Sequence, residues 1–307
     1  MLSSLQAAAN KMNKTCIVIV GPTAVGKTRF AIQFAQYLST KIISADSRQC
    51  YKELDIGVAK PSREELDMVK HYFINTHSVT EEVNAAVFEE YSLKVAAEIF
   101  QHNDYAVMEG GTGLYIKAFC EGMDEIPDIQ PGIRAGILLG YKNNGMEWLQ
   151  DQVKEKDPAW FAEGETKNPQ RLMRALEVIE GTGISITSFL SGEKKKRPFN
   201  IVKIGLEIAR PQLYQQINDR VDRMMKAGLL SEVEELVQYR YLNALQTVGY
   251  RELFEYADGM ITLEKAVELI KQNTRHYAKR QVTWFKKDPS IQWISPHFPI
   301  SSFMQGI

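Results

Sequence analysis

Little in this sequence serves disulfide, zinc or membrane chemistry. Cysteine occurs three times, at Cys16, Cys50 and Cys120. The number is odd and no two have the spacing of a metal knuckle, which argues for reduced thiols in a cytoplasmic protein. No apolar run approaches the ~20 residues that a membrane-spanning helix needs. Residues 1–14 hold Leu2, Leu5 and a short alanine run, too weak for a signal peptide, and the first dozen residues are expected to form a frayed arm. Net charge is −1, so the overall balance draws the chain neither to nucleic acid nor to a membrane, and any basic face must be local. Internal repeats and low-complexity segments are lacking. Nothing suggests coiled-coil assembly, and a monomer is expected. What is present is an ordinary globular composition, 44% hydrophobic and 24% charged over 307 residues. That suffices for one large domain, or for one domain with an insertion.

The most informative stretch is CIVIVGPTAVGKT. Residues 16–20 form an apolar run that reads as a buried strand. Gly21, Pro22, Thr23, Ala24, Val25, Gly26, Lys27 and Thr28 follow at once and fit G-x-x-x-x-G-K-[ST], the phosphate-binding loop. Residues 29–38 then show helical spacing, with Phe30, Phe34 and Leu38 on one side. The order suits the chemistry. Gly21 and Gly26 let the backbone curl so that its N–H groups face phosphate oxygens. The helix N-terminus adds positive potential. Lys27 brings a mobile charge, and Thr28 offers a hydroxyl to Mg²⁺. A diphosphate or triphosphate site follows from this pattern; the fate of the phosphate does not.

Further strands are expected at 41–45, 70–75, 105–108, 201–208 and 291–294. Helices are expected at 85–100, from 114, at 171–179, 213–226, 230–239 and 263–284. A broken helical region should span 134–161, interrupted at Asn143-Asn144-Gly145 and at Asp157-Pro158. Alternating strands and helices predict an α/β fold, a parallel sheet with helices on both faces. Residues 121–200 read as a helical insertion into a core made of 1–120 and 201–307. Within it, residues 191–197 (SGEKKKR) read as a solvated basic stretch. In parallel sheets ligands sit beyond the carboxyl ends of strands. The phosphate loop, Asp46 and Gly110-Gly111-Thr112 all follow strands, so they should converge on one crevice.

Asp46 in that crevice suits either a Mg²⁺ ligand or a general base, beside the polar Ser47, Arg48 and Gln49. Gly110 to Gly113 suit a close approach of backbone to ligand, or a tight strand-to-helix turn. Arg171 and Arg174 lie three apart, on one helix face. Residues 271–287 hold six Lys or Arg and no acid, interleaved with His276, Tyr277, Trp284 and Phe285. That suits either an RNA face or an amphipathic helix whose rings are core.

In series, these segments resemble the bacterial tRNA dimethylallyltransferase (tRNA isopentenyltransferase) family. The likeness runs from about residue 17 to 294. It is carried by GPTAVGKT, IISADSRQCYKELDIGVAKP, EGGTGLYIKA, NPQRLMRALEV, RVDRMMKAGLLSEVEEL, VGYREL and TRHYAKRQVTWF in that order. The resemblance implies a P-loop core related to nucleotide kinases, plus a helical insertion that contacts tRNA. It implies transfer of a dimethylallyl group from dimethylallyl diphosphate to the exocyclic amine of the adenosine 3′ of the anticodon, in tRNAs reading codons that begin with U. By this resemblance Asp46 is the general base, assisted by Lys27 and Thr112. The loop, with Arg210, would hold diphosphate and Mg²⁺. Asp46, Ser47, Arg48, Gln49, Thr112, Arg134, Gln170, Arg171, Leu172, Met173, Arg174, Arg275, Lys279 and Arg280 would meet the tRNA anticodon stem-loop. Where the family often has Asp before Pro-Gln-Arg, this chain has Asn168. An adenylate isopentenyltransferase, a small-molecule kinase and a non-catalytic RNA-binding module are the other readings of the same residues.

Overall fold

The computed structural model describes residues 14–306, which form two compact units. The first joins residues 14–122 to 196–306 and the second is residues 123–195.

The first unit is built on six parallel strands: β1 (Thr15–Val20), β2 (Ile42–Ser44), β3 (His71–Tyr72), β4 (Tyr105–Gly110), β5 (Asn200–Leu206) and β6 (Ile291–Ile294). Their spatial order is β3-β2-β4-β1-β5-β6. β1 pairs with β4 in the register Ile19↔Glu109 and with β5 in the register Ile19↔Ile204. Strands buried on both faces are read as continuous apolar runs; Cys16 to Val20 are all fully buried. Ile17, Ile19, Val107 and Ile204 share one face. They pack with Phe30 and Phe34 of α1 (Lys27–Tyr37) and with Leu213 and Ile217 of α8 (Arg210–Lys226), α2 to α7 being described below.

β3 is shorter than the expected 70–75 because Phe73 (φ 63°) and Asn75 (φ 55°) adopt left-handed backbone, which ends an extended run. The remaining helices of this unit include α2 (Arg63–Met68), α3 (Ala85–Phe100) and α4 (Gly113–Glu121), then α9 (Leu229–Glu235), α10 (Tyr250–Ala257), α11 (Leu263–Phe285) and α12 (Ile300–Met304). The sequence pattern does not predict the short α2, α10 and α12. α2 is set by a capping box between Ser62 and Glu65. The helix expected over 230–239 stops at Glu235 and continues as a 3₁₀ turn, Val237–Tyr239.

In the second unit, α5 (Pro131–Lys156) is kinked at Gly145 (φ 78°), α6 (Pro158–Glu163) follows, and α7 (Pro169–Thr182) closes the core. Leu149, Val153, Trp160, Leu172 and Leu176 pack together there. Asn168 caps α7, its side chain accepting from Gln170 N–H. Asn caps a helix about as well as Asp, so the departure from the family's Asp retains a cap. Residue 197 is not solvated as expected. Arg197 pairs with Glu89 at 2.7 Å and donates to the Phe119 and Ala118 carbonyls.

Candidate active site

The phosphate-binding loop runs from β1 into α1. Gly26 caps α1 in a left-handed conformation (φ 98°), where L side chains are strained. The first N–H groups of α1 have no carbonyl within the helix to meet, so they are available to an anion. Lys27 Nζ donates to the Pro22 carbonyl at 2.9 Å, which keeps its ammonium at the loop.

Three neighbouring strands bring the other groups to the loop, since β2, β4 and β1 are adjacent in the sheet. Asp46 follows β2. Its Oδ1 accepts from the Arg48 and Gln49 N–H groups, so one oxygen caps the turn. Glu109 lies at the end of β4 and is buried. Thr112, after β4, accepts from Ser47 N–H at 3.0 Å and donates to the Ser47 hydroxyl. This stitches the Asp46 turn to the β4–α4 connection. A cavity of about 190 Å³ is lined by Thr23, Lys27, Thr28, Asp46, Glu109 and Arg220, among others. Gly26, Arg29 and Arg220 also line a wider cleft of about 700 Å³, which Arg223 borders too.

Burial in this cavity shifts charge states. Burial pushes the Glu109 carboxyl up to about 7, with Lys27 opposing the rise. Burial lowers the Lys27 ammonium to about 8, with Glu109 opposing that fall. Arg220 is lowered by burial and by Arg223 beside it.

The glycines at the end of β4 serve protein contacts. A Cβ on Gly110 would sit 2.3 Å from the Ala45 carbonyl oxygen, and one on Gly111 would sit 2.2 Å from Gln281 Nε2. Gln281, buried on α11, accepts from Thr23 N–H at 2.8 Å and donates to the Gly111 carbonyl at 2.9 Å. It therefore clamps the phosphate loop to the β4–α4 turn.

Other residues named from the sequence are placed less uniformly. Gln49 lines the cavity, but its amide is engaged internally, accepting from the Ser44 hydroxyl and donating to the Ala59 carbonyl. Arg210 is outside the cavity. It is exposed at the start of α8, donating to the Tyr214 hydroxyl at 2.9 Å. The arginine that reaches the loop is Arg220, which donates to Thr23 Oγ1 at 3.2 Å. Arg275 is tied to Asn218 at 2.7 Å, while Lys279 and Arg280 are exposed. Trp284 is exposed and Phe285 is buried, so α11 is both amphipathic core and basic face.

In the second unit, Arg134 and Arg174 both reach the carboxylate of Glu177, at 2.9 and 3.0 Å, and Arg171 pairs with Glu165. Gln170 is exposed. Leu172 and Met173 point the other way, into that unit's core, so their side chains do not offer an RNA contact.

Among the described residues, no group of three or more His, Cys, Asp or Glu gathers to hold a metal. Mg²⁺ needs no such cage, because it is often held by one or two protein oxygens plus substrate phosphates and water. Thr28 Oγ1 and the Glu109 carboxylate, 3.5 Å apart at the loop, fit that donor set.

The model of the family described as IPP transferase matches residues 49–288, most of the chain. This chain belongs to the IPP transferase family. A tRNA dimethylallyltransferase of Cytophaga hutchinsonii is 46% identical over 93% of this chain and 94% of its own. One from Bacteroides thetaiotaomicron is 44% identical over 92% of each chain. Among solved structures, the tRNA isopentenylpyrophosphate transferase of Bacillus halodurans superposes with a TM-score of 0.69 at 34% identity, covering 95% of this chain and 94% of that one. A eukaryotic dimethylallyltransferase acting on tRNA gives 0.77 at 25% identity, covering 92% and 74%. As an IPP transferase, this chain has the α/β P-loop core of its family. Among its described residues no helix is long and apolar enough to cross a membrane.

Glu109, Arg220 and Gln281 are not singled out by any pattern in the sequence. Each is a single polar residue inside a quoted motif, and nothing in helix or strand periodicity separates it from its neighbours.

Proposed function

We propose that this IPP transferase, working as a monomer in the cytoplasm, moves a dimethylallyl group from dimethylallyl diphosphate to tRNA. The acceptor is the exocyclic amine of the adenosine 3′ of the anticodon, in tRNAs that read codons beginning with U. The observation that carries this reading is one cavity lined by both the loop lysine and Asp46. A leaving diphosphate and a departing proton each have a receiver there.

In the reaction, the allylic carbon–oxygen bond breaks and its electron pair stays on diphosphate. A bond forms between that carbon and the adenine amine. The amine proton becomes acidic as the nitrogen attacks, and the Asp46 carboxylate takes it. The N–H groups of α1, Lys27 and Arg220 face the charge that builds on diphosphate. Mg²⁺, held through Thr28, would neutralise part of that charge when bound. Adenine must leave the anticodon stack to reach the cavity. Ser47, Arg48, Thr112, Lys279 and Arg280 of the core are the groups offered to the flipped nucleotide and its flanks. In the helical unit, Arg134, Gln170, Arg171 and Arg174 are offered to the stem-loop backbone.

Incubation with Mg²⁺, dimethylallyl diphosphate and unmodified tRNA carrying adenosine 3′ of the anticodon tests the reading. Nucleoside mass spectrometry should find a prenylated adenosine. Product on AMP and none on tRNA would contradict the acceptor, and product on neither would contradict the reaction.

A further inference from the structure

Glu109 is an awkward residue to bury. It is 3% exposed, on a strand between two others, and its side chain ends in the cavity under the phosphate loop. A buried carboxylate normally accepts several hydrogen bonds or meets a cation. Among the described residues, its only hydrogen bond is from Thr28 Oγ1, at 3.5 Å. The loop ammonium, Lys27, gives its own bond to the Pro22 carbonyl. The Asp46 oxygen Oδ1 is likewise committed to the Arg48 and Gln49 amides. Glu109 is thus the cavity's under-satisfied charge, and the hydroxyl beside it belongs to the loop.

We propose that the Glu109 carboxylate and the Thr28 hydroxyl together ligate the divalent cation that accompanies diphosphate in this site. The spacing suits a small hard cation. Two oxygens that are neighbours in an octahedral Mg²⁺ shell, each about 2.1 Å from the ion, lie about 3 Å apart. The 3.5 Å separation between Thr28 Oγ1 and Glu109 Oε1 closes to that with a small rotation of either side chain. Diphosphate oxygens and water complete the shell, which is how Mg²⁺ is generally bound beside phosphates. The negative charge of Glu109 then has a full-time partner, which Lys27, bonded to the Pro22 carbonyl, does not supply. The proposal rests on the reading that the loop holds diphosphate.

Titrating the full chain with Mn²⁺ in the presence of inorganic diphosphate, followed by electron paramagnetic resonance, tests it without tRNA or prenyl donor. Glu109→Gln keeps the shape and removes the charge. It should weaken Mn²⁺ at least tenfold, while calorimetry in EDTA should show metal-free diphosphate bound as well as by the wild type or better. Glu109→Asp, which retains the charge, should recover part of the Mn²⁺ affinity. Equal Mn²⁺ affinity in the wild type and Glu109→Gln would overturn the proposal. So would a loss of metal-free diphosphate binding as large as the loss of Mn²⁺, because that marks general damage to the loop. A wild type that binds diphosphate neither with nor without metal would overturn the diphosphate reading, and the cation site with it.

Discussion

Glu109 and Lys27 oppose each other's shifts, and the consequence for stability has a definite sign. In metal-free protein the folded-state carboxyl of Glu109 is raised from 4.5 to about 7, first by burial and then by Asp46, against Lys27, Thr28 and Arg220. A folded state that holds a proton which the unfolded chain gives up loses stability as pH rises between those values. The span corresponds to about 3 kcal/mol. Glu109→Gln in EDTA should therefore melt several degrees above the wild type at pH 8 and near it at pH 4. Melting differences equal at both pH values would contradict this. The residue scale is also where the sequence is least legible. The run of loop residues declares itself because backbone curvature demands its glycines. Arg220 looks like any arginine of a solvated helix face until α8 crosses the loop. Arg210, in a similar local setting, ends on Tyr214 instead.

The segment that carries Asp46 continues into a long connection, residues 47–61, held from a distance. Glu232 on α9 accepts from the N–H groups of Asp55 (3.2 Å), Ile56 (2.7 Å) and Gly57 (3.0 Å). It also accepts from the Tyr250 hydroxyl of α10 at 2.5 Å. Burial and Glu232 push the Tyr250 phenol well up, so it remains a donor throughout the working range. Three segments remote in sequence (IGVAKP, LLSEVEEL and VGYREL) thus meet at one carboxylate. Tyr250→Phe removes one charge-assisted bond from this half-buried node, a loss of about 1.5–3 kcal/mol. Its melting temperature should fall by several degrees; an unchanged one would mean that the three amides suffice. At this scale the sequence is more legible. Strands that are continuous apolar runs and long amphipathic helices are visible from periodicity, whereas α2 and α10, at six and eight residues, are too short for a periodic signal. The truncation of β3 depends on two left-handed residues, and its sequence alone looks extended.

For the whole molecule, the sheet order decides the chemistry. β4 lies between β1 and β2, so the residues after strands one, two and four reach a common crevice although they are dispersed over about ninety positions. Alternating strand and helix patterns reveal that the sheet is parallel; they do not reveal which strands are neighbours, because that is settled by long-range packing. The second unit has its own core around Leu149, Trp160 and Leu172, and its helices present arginines held by Glu177 and Glu165. Bond making therefore belongs to the sheet unit, and within it to the meeting of the loop with Asp46. The most direct measurement is the single-turnover rate of prenyl transfer to tRNA by Asp46→Asn, at saturating dimethylallyl diphosphate and Mg²⁺. The expected rate is about 10²–10⁴-fold below the wild type, the usual contribution of a positioned base, with donor affinity little changed. A rate within a few-fold of the wild type would contradict it.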